Sequence, residues 1–314
     1  MSIIRTVFLG TPDFAHHCLD SLIKDKHFKV VGVVTQPDRP AGRKMKRQPS
    51  PVKGLAGAYQ IPVLTPQKVS GPEAFQKIES WRAEVAVVVA FGQILPQAFL
   101  DLYPRQVVNI HSSLLPHWRG AAPIQRSMMA GETTTGVSLQ VMVKKLDAGD
   151  VIGVRKINVP ETMNAVELHE AMKPLAANLL AVELMDYLSG NLVPEPQDES
   201  QVSYAHKITK QEGRIRWDRP AIEIFNQIRG LALGPGVYTI RGGKKLKIHR
   251  AKVEKNAKAA APGQVIAVDP DSFIVASGVD ALRVETVQPE SRAQMSVKDY
   301  LRGYPIQPGE ELGE

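Results

Sequence analysis

The chain has 314 residues, of which 43% are hydrophobic and 23% charged, a composition typical of a globular protein with a substantial core. Its length fits one large and one small domain better than a single core. Cys18 is the only cysteine, which excludes an intrachain disulfide and leaves a thiolate zinc site or an iron–sulfur cluster without ligands. We therefore predict a two-domain, metal-independent protein of a reducing compartment.

The sequence has no feature of a secreted or membrane-spanning protein. Its amino terminus lacks a basic segment followed by a long apolar run, and no uninterrupted apolar stretch of about 18 residues occurs. We therefore expect a soluble, cytoplasmic protein without membrane contact, and we expect it to be a monomer.

Positive charge is concentrated in two segments. The formal net charge is +7, yet residues 207–260 alone have a net charge of +10 and residues 38–53 a net charge of +5. The rest of the chain is therefore acidic. Two basic segments on an acidic molecule are typical of a surface that binds a phosphate backbone, although charged runs are also common as plain solvated surface.

The amino-terminal half alternates short apolar runs with stretches that can form helices. The nearly continuous, β-branched runs cover residues 3–9, 30–35, 85–90 and 107–110. Such strands are typical of a parallel sheet covered on both faces. Thr11 is predicted to cap the first helix, with Pro12 in its first turn. A strand at residues 137–143 and a helix at residues 165–188 complete a doubly wound, Rossmann-like α/β domain.

A dinucleotide-binding enzyme is the obvious alternative for such a domain. The first strand-to-helix turn contains only Gly10, however, and neither a Gly-x-Gly-x-x-Gly fingerprint nor a Walker A sequence is found. Without these glycines the loop that cradles a pyrophosphate is missing, which argues against this class.

The carboxy-terminal part has a different pattern. Residues 191–206 are polar and contain Pro194 and Pro196, which predicts a linker. Short β-type runs broken by glycine and proline follow at residues 237–240, 245–249, 264–268, 272–276 and 282–287. Their regular spacing favours a small, OB-like β-barrel. We therefore predict a catalytic domain at residues 1–190, the linker at 191–206 and a smaller β-barrel domain at 207–314.

Polar side chains follow two of the predicted strands of the first domain. Asn109 and His111 alternate along one strand and so point to the same face. Asp147 lies in the loop after residues 137–143. Because open α/β sheets bind ligands at the carboxyl ends of their strands, we expect these three side chains to converge there.

An amide, an imidazole and a carboxylate suit the attack of an amine on a carbonyl carbon. Negative charge grows on the carbonyl oxygen, where each preorganised donor lowers the barrier by about 3 kcal/mol. Asn109 and His111 can donate such bonds, and Asp147 can accept the proton that the nitrogen loses, directly or through a water. The carboxylate also favours a protonated His111. Simpler roles stay open, with His111 as a structural hydrogen bonder and Asp147 shaping a turn with Gly149.

Other chemistries fit the sequence less well. Ser112 and Ser113 lack the Gly-x-Ser-x-Gly elbow of a hydrolase nucleophile. The possible metal-ligating histidines lack a His-Glu-x-x-His motif. They are His16, His17, His111 and His117.

Five segments of the amino-terminal half resemble, in the same order, the folate-dependent formyltransferase superfamily, and most closely its members that act on methionyl-tRNA. They cover residues 9–15, 35–43, 88–96, 108–125 and 146–150. The resemblance implies that Asn109, His111 and Asp147 are catalytic. It also implies transfer of a formyl group from 10-formyltetrahydrofolate to the amino group of methionine on initiator tRNA, a step of translation initiation.

The same resemblance assigns a folate pocket, mainly through backbone groups and apolar walls. It comprises Phe91, Gly92, Ile94, Leu95, Ser112, Ser113, Leu114, Leu115, Met142, Val143 and Asp150. Apolar walls with a few placed polar groups suit a flat heterocycle with amide-like edges. Residues 88–95 also fit a plain core strand and turn, but Gly92 favours a ligand because a strand-end glycine permits close backbone approach.

The resemblance also assigns the two basic segments to tRNA. Residues 38–53 are predicted to form a mobile basic loop that enters the acceptor arm, and Arg43 matches its key arginine. The predicted RNA-binding residues are Arg39, Arg43, Lys44, Lys46, Arg47, Lys207, Arg214, Arg216, Lys244, Lys245 and Lys247. Phosphate contacts give affinity that falls with salt and carry little sequence information. Residues 230–236 depart from the family, which usually has an Asn-Pro-Trp-Pro-like turn there.

Three other functions stay open from the sequence. A formyltransferase for an amino sugar nucleotide or another small amine would share the fold and the same three catalytic side chains. A hydrolase would release formate from the same folate. A catalytically silent RNA-binding protein would need only the two basic segments.

Overall fold

The computed structural model describes residues 3–41, 46–255 and 260–313. Its β-strands are β1 (Ile4–Gly10), β2 (Phe28–Val34), β3 (Arg39–Ala41), β4 (Lys46–Gln48), β5 (Val63–Leu64), β6 (Val85–Val89), β7 (Val107–His111), β8 (Arg119–Gly120), β9 (Thr134–Val141), β10 (Val151–Asn158), β11 (Tyr204–Ala205), β12 (Val237–Arg241), β13 (Lys244–Glu254), β14 (Val265–Val268), β15 (Phe273–Ala276), β16 (Ala281–Pro289) and β17 (Met295–Ser296). Its α-helices are α1 (Asp13–Lys24), α2 (Pro51–Ala58), α3 (Pro72–Ser80), α4 (Gln97–Leu100), α5 (Pro123–Met129), α6 (Ala165–Leu188), α7 (Ala221–Gly230) and α8 (Val297–Gly303). None of the helices in the described residues is long and apolar enough to cross a membrane.

The chain packs into two compact units that are discontinuous in sequence. The first unit comprises Met1–Gly120, Thr134–Ile157 and His169–Tyr204, and the second comprises Ala121–Thr133, Asn158–Leu168 and Ala205–Glu314. The second unit includes α5 because that helix packs on α7, where a Cβ built at Gly230 would lie 2.7 Å from the Cγ of Met129. The sequence instead predicted three consecutive segments, residues 1–190, 191–206 and 207–314.

Among the described residues, the first unit forms a seven-stranded sheet with the order β10-β9-β7-β6-β1-β2-β5. The five strands from β7 to β5 run parallel, and β9 pairs antiparallel with β7. This arrangement confirms the predicted Rossmann-like sheet. The sequence did not predict β5, which is only two residues long, or β10, where charged residues interrupt the apolar pattern.

The first helix begins differently from the prediction. Pro12 occupies the N-cap position of α1, and no described side chain caps this helix. The Thr11 hydroxyl instead accepts a hydrogen bond from the backbone N–H of Gln36 at 3.2 Å and donates one to the carbonyl of Phe91 at 3.4 Å. The predicted Thr11 cap is therefore wrong, because this hydroxyl joins the ends of three neighbouring strands, β1, β2 and β6.

The predicted helix at residues 165–188 is confirmed as α6. Asn164 precedes it, and its side-chain oxygen accepts hydrogen bonds from the backbone N–H groups of Val166 and Glu167, at 2.9 and 3.1 Å. The Glu167 carboxylate in turn accepts from the backbone N–H of Asn164 at 2.8 Å. This reciprocal pair is a capping box, which fixes the residue at which α6 begins.

The basic segment at residues 38–53 is more regular than the predicted loop. Its two short strands, β3 and β4, pair antiparallel with Arg39 opposite Gln48. Lys53, in the first turn of α2, forms an ion pair with Asp38, with 2.7 Å between Nζ and Oδ2. A main-chain ladder and an ion pair therefore hold the described ends of this segment together, which the sequence did not predict. The mobility of the basic loop stays a prediction.

The second unit contains an antiparallel sheet with the strand order β12-β13-β16-β15-β14, and β17 pairs with β16. Its core includes the fully buried side chains of Leu231, Phe273, Val284 and Val287. The predicted carboxy-terminal β-structure is therefore confirmed. Among the described residues no ladder joins β12 to β14, so closure into a barrel stays a prediction.

Close packing in the first unit generates a prediction at Gly32 of β2. A Cβ there would lie 2.3 to 2.5 Å from ring atoms of Trp81, so we expect Gly32→Ala to lower the free energy of unfolding by about 1–3 kcal/mol. Gly54 of α2 has open space around its Cβ position, so Gly54→Ala should raise stability by up to about 1 kcal/mol. Urea denaturation of both variants checks the contrast, and equal effects would contradict it.

Candidate active site

Two polar residues of the apolar strand β7 form one side of the site. Asn109 and His111 are buried, with exposed fractions of 8% and 6%, and they point to the same face of the sheet. In the antiparallel ladder with β9, Asn109 lies opposite Gln140 and His111 opposite Ser138. Directly opposed side chains share a face, so four polar side chains come together on an otherwise apolar pair of strands.

The imidazole of His111 is held from one side by the main chain. Its Nε2 lies 2.9 Å from the carbonyl oxygen of Trp118, and since a carbonyl only accepts, Nε2 carries the hydrogen of this bond. Its Nδ1 faces Oδ2 of Asp147 at 3.8 Å, which is too long for a hydrogen bond. A ligand atom can therefore approach Nδ1 next to the carboxylate.

Asp147 is fixed in the loop after β9 with an unusual backbone, at φ +46°. Its Oδ2 accepts a hydrogen bond from the backbone N–H of Gly120 at 2.8 Å, and its Oδ1 accepts one from the side-chain amide of Gln140 at 3.1 Å. The structure thus brings Asp147 to His111 directly. It links Asp147 to Asn109 through Gln140, which lies beside both.

Two polar groups of this cluster have no partner among the described residues. The Oε1 atom of Gln140 is buried without a hydrogen bond, and the buried side chain of Asn109 also forms none within the described chain. Sequence reasoning missed Gln140. The signal that marks it is a polar residue at a fully buried position in the apolar strand β9.

The predicted folate-pocket residues in the segment after β6 differ in their exposure. Phe91 and Leu95 are buried in the core of the first unit. The carbonyl of Phe91 already accepts a hydrogen bond from the side chain of Gln36 at 3.1 Å. Gly92 is exposed with a φ of +81°, and a Cβ there would lie 3.7 Å from Nε2 of Gln36, an ordinary contact. The Ile94 side chain is 92% exposed. Gly92 and Ile94 are therefore the members of this segment that a ligand can contact.

The segment after β7 is held by a serine of β9. The Ser138 hydroxyl donates to the carbonyl of Ser113 at 2.7 Å and accepts from the backbone N–H of Leu115 at 3.1 Å. The Ser113 hydroxyl donates its hydrogen to the carbonyl of His117, so it cannot also donate to a ligand. Ser112 and Leu114 are half-buried.

The remaining predicted folate residues surround the Asp147 loop. Met142 is half-buried, and its backbone N–H donates to the carbonyl of Val107 at 2.7 Å. Val143 is 44% exposed. Asp150 is exposed, and its carbonyl accepts from the backbone N–H of Val141 at 2.9 Å.

Of the basic residues assigned to RNA in the first unit, Arg39 and Arg47 are exposed on β3 and β4. The backbone of Lys46 lies in β4. Arg43 and Lys44 lie outside the described residues.

The second unit presents lysines without carboxylate partners among its described residues. Lys207, Lys244 and Lys245 are exposed, and the ammonium group of Lys245 lies 4.7 Å from the ring centre of Tyr238. Lys245 and Lys247 line a cavity of about 400 Å³ with Lys210, Gln211, Gly236 and Tyr238. This surface can accept an anionic chain.

Two of the predicted RNA-binding arginines are already occupied. Arg214 donates to the carbonyl of Gly313 at 2.8 Å, and Arg216 forms an ion pair with Asp218 at 2.7 Å. Each keeps further N–H donors for a phosphate, although the Asp218 carboxylate offsets the charge of Arg216, which the sequence pattern did not indicate.

One group in the described residues has the donor atoms for a metal ion. Donor atoms of Asp13, His16 and His17 on α1 lie within 4.8 Å of one another. The Asp13 carboxylate is already an acceptor for the ammonium group of Lys173, and this hydrogen bond lowers the pKa of Asp13. Lys173 therefore supplies the positive charge that a metal would bring.

Comparison with known proteins gives matches over both parts of the chain. The family described as Formyl transferase matches residues 4–184, and that described as Formyl transferase, C-terminal domain, matches residues 207–305. The methionyl-tRNA formyltransferase of Bdellovibrio bacteriovorus is 53% identical over 317 residues, covering 100% of both chains. That of Bacillus subtilis is 42% identical over 310 residues and covers 98% of each.

A solved structure shares the fold at low identity. It is the N-formyltransferase from Helicobacter canadensis in complex with folinic acid and dTDP-3-aminofucose. It matches with a TM-score of 0.67 and 15% identity, over 91% of this chain and 99% of that chain.

The contacts of Ser138 generate a prediction about the rigidity of the site. Ser138→Ala leaves a buried carbonyl and a buried N–H without partners, so we expect the free energy of unfolding to fall by about 2 kcal/mol. Ser127, equally buried, donates only to the carbonyl of Ile124 in its own helix, so Ser127→Ala should cost less than about 1 kcal/mol. Chemical denaturation tests this order, and the reverse order would refute it.

Proposed function

Since the chain belongs to the formyl transferase family, we propose that it transfers the formyl group of 10-formyltetrahydrofolate to the amino group of methionine on initiator tRNA, in translation initiation. The observation that carries the chemistry is the pair formed by His111 and Asp147, with an open Nδ1 3.8 Å from the carboxylate. The choice of acceptor is supported by full-length relatives that are methionyl-tRNA formyltransferases.

In the proposed mechanism, Asn109 and His111 stabilise charge. The donor supplies an activated formyl carbon, and as the amine attacks it, negative charge develops on the formyl oxygen. The Asn109 amide lacks an intramolecular partner, and the Nδ1 of His111, when protonated, points to the same space, so both can donate to that oxygen. Because Trp118 fixes the other ring nitrogen, the imidazole does not need to reorient during the reaction.

Asp147 has the second role in the proposal. The attacking nitrogen must lose a proton as the new bond forms, and a carboxylate or a water that it orients can accept it. Gly120 and Gln140 each donate one hydrogen bond to Asp147, one to each oxygen, which leaves the remaining acceptor positions for that proton.

The residues around the loop fit a folate. Gly92 offers an exposed backbone and Ile94 an exposed apolar side chain. Val143, on the other side, is also exposed. Apolar walls beside a polar cluster suit a flat heterocycle whose formyl group lies at Asn109 and His111.

The basic surfaces favour RNA over a small acceptor. Lys207, Lys244 and Lys245 lack carboxylate partners among the described residues, and a single small amine does not require such an extended surface. The alternative acceptor is an amino sugar nucleotide, because a protein of the same fold, from Helicobacter canadensis, forms a complex with dTDP-3-aminofucose.

A transfer assay with purified protein and 10-formyltetrahydrofolate distinguishes these hypotheses about the acceptor. We expect N-formylmethionine on initiator tRNA, at most weak transfer to elongator methionyl-tRNA and none to an amino sugar nucleotide. Formylation of the sugar alone would replace the proposal by the alternative. Release of formate without any amine would identify a hydrolase, and no turnover at all would favour a silent RNA-binding protein.

The proposal includes the organisation of the chain. Residues 1–190 are the catalytic region, residues 191–206 a linker and residues 207–314 the tRNA-binding region, in a cytoplasmic monomer. The two family matches, at residues 4–184 and 207–305, support this division. Light scattering on the protein alone and with tRNA measures the oligomeric state.

The catalytic assignment predicts the behaviour of a histidine pair. We expect His111→Ala to lower kcat for formyl transfer about 100- to 1000-fold, with the Kd for the folate donor changed by less than about twofold, because the lost donor acts on the developing oxyanion. His117→Ala is the matched control, since His117 is an exposed histidine six residues along the chain. Steady-state kinetics and donor titration test this, and full activity of His111→Ala would remove His111 from the mechanism.

The RNA assignment predicts a change in salt dependence. We expect the double variant Lys245→Gln and Lys247→Gln to reduce the slope of log kcat/KM for methionyl-tRNA against log salt concentration by about 1.5, because each phosphate contact contributes about 0.7–0.9. Lys252 lies on the same strand but pairs with Glu285, so Lys252→Gln should leave the slope unchanged. An unchanged slope in the double variant would exclude these two lysines from the RNA contact.

A further inference from the structure

The polar segment that the sequence predicts as a linker contributes side chains to the first unit. Residues up to Tyr204 pack with that unit, and Gln197 lies at its loop after β9. No sequence pattern marks Gln197, because a glutamine among prolines and acidic residues is typical of solvated linker. In the structure, its hydrogen bonds attach this part of the predicted linker to the loop after β9.

The amide of Gln197 spans the turn that contains Asp147. Its Nε2 donates to the carbonyl of Asp147 at 2.9 Å and to the carbonyl of Gly149 at 2.7 Å, which uses both of its hydrogens. This amide therefore fixes the two ends of the turn relative to each other. The turn is also confined from the side of β9, because a Cβ at Gly149 would lie 1.7 Å from the carbonyl oxygen of Val141.

A buried arginine sets the orientation of that amide. The Nε and Nη2 atoms of Arg119 donate to Oε1 of Gln197 at 3.1 and 2.8 Å. Since a guanidinium only donates, the oxygen of Gln197 must face it, and the NH2 group must face the two carbonyls. Arg119 is fully buried, and a buried cation is costly unless its partners are well placed.

The charge of Arg119 is balanced at the surface. Arg119 also donates to Glu199 at 2.9 Å, and Lys145 forms a second ion pair with Glu199. The hydrogen bonds from Lys145 and Arg119 lower the pKa of the Glu199 carboxyl. Glu199 is therefore a carboxylate that keeps the guanidinium in place.

We propose that Gln197, oriented by Arg119, is a positioning residue that sets the Asp147 carboxylate beside His111 for the proton transfer. This inference rests on the proposed formyl transfer. The backbone of Asp147 has a left-handed φ, which is uncommon for residues other than glycine. Without the amide that holds its carbonyl, the turn relaxes and the carboxylate loses its distance and angle to His111.

The kinetic test compares two substitutions that separate hydrogen-bond donation from packing. We expect Gln197→Ala to lower kcat about 10- to 100-fold with KM for both substrates changed less than about twofold, as for a misplaced catalytic group. Gln197→Glu keeps the size but cannot donate to the carbonyls, so it should lose at least as much activity. The matched control is Gln201→Ala, because Gln201 lies in the same segment and, among the described residues, its side-chain amide binds only Asp198.

A double-variant cycle tests whether the effect passes through Asp147. In the background of Asp147→Asn, Gln197→Ala should cause no further loss of kcat, since the group that it positions is gone. Additive losses would overturn the inference, as would a wild-type kcat in Gln197→Glu. Arg119→Lys should fall between wild type and Gln197→Ala, because a lysine can donate to the amide but not through two nitrogens.

A structural readout separates this inference from the proposed function. The backbone N–H of Gly120 is held by the Asp147 carboxylate, so its hydrogen exchange should accelerate in Gln197→Ala while a distant core amide, such as that of Val87, exchanges as in wild type. Unchanged exchange at Gly120 would refute the positioning role even in an active enzyme. A wild-type protein that forms no formylmethionyl-tRNA would instead overturn the proposed function.

Discussion

A carboxylate held in a left-handed turn is the constraint on which the candidate site depends. This backbone conformation is uncommon for residues other than glycine, although aspartate tolerates it better than most, and the contacts of Asp147 hold it there. Three hydrogen bonds hold Asp147 in this conformation. Gly120 and Gln140 donate to its carboxylate, and Gln197 donates to its carbonyl. The same hydrogen bonds therefore fix both the backbone of Asp147 and the position of its carboxylate in the site.

Incomplete hydrogen bonding gives the site its chemical character. Buried polar groups normally have partners, because an unpaired buried donor or acceptor costs about 1–3 kcal/mol. The side chain of Asn109 and the side-chain oxygen of Gln140 have none within the described residues. The hydroxyl of the neighbouring Ser138 both donates and accepts a hydrogen bond. A ligand with both a carbonyl oxygen and an amine hydrogen can satisfy what the chain leaves open. These two buried groups are therefore available to form hydrogen bonds with a ligand.

Much of the fold could be predicted because its signals are local. The apolar runs of β1, β2, β6 and β7 and the long helix α6 are marked by side-chain type and by period. The exceptions are elements set by their surroundings: β5 is too short to have a pattern, and Thr11 bonds to strand ends that are distant in sequence. The short ladder of the basic segment at residues 38–53 was not predicted, because it depends on backbone pairing and on one ion pair.

The site was predictable only in part for the same reason. Strand alternation placed Asn109 and His111 on one face, and the loop after the next predicted strand placed Asp147 near them. The family resemblance implied that all three are catalytic. Gln140 and Gln197 act through tertiary contacts that no spacing rule encodes, since the second lies 50 residues from the carbonyl that it binds. The intramolecular contacts of Arg214 and Arg216 also could not be predicted, because charge alone does not reveal a partner such as Asp218.

The bond between His111 and the carbonyl of Trp118 has a consequence for how the site tolerates mutation. A carbonyl belongs to every residue type, so no single codon change at position 118 can delete this acceptor, unlike a carboxylate or hydroxyl partner. What selection must preserve there is the left-handed backbone of Trp118, at φ +62°, which glycine or asparagine adopts more readily than tryptophan. The tautomer of the imidazole thus depends on the backbone conformation at position 118. Substitutions of that side chain that keep the backbone conformation leave the tautomer unchanged.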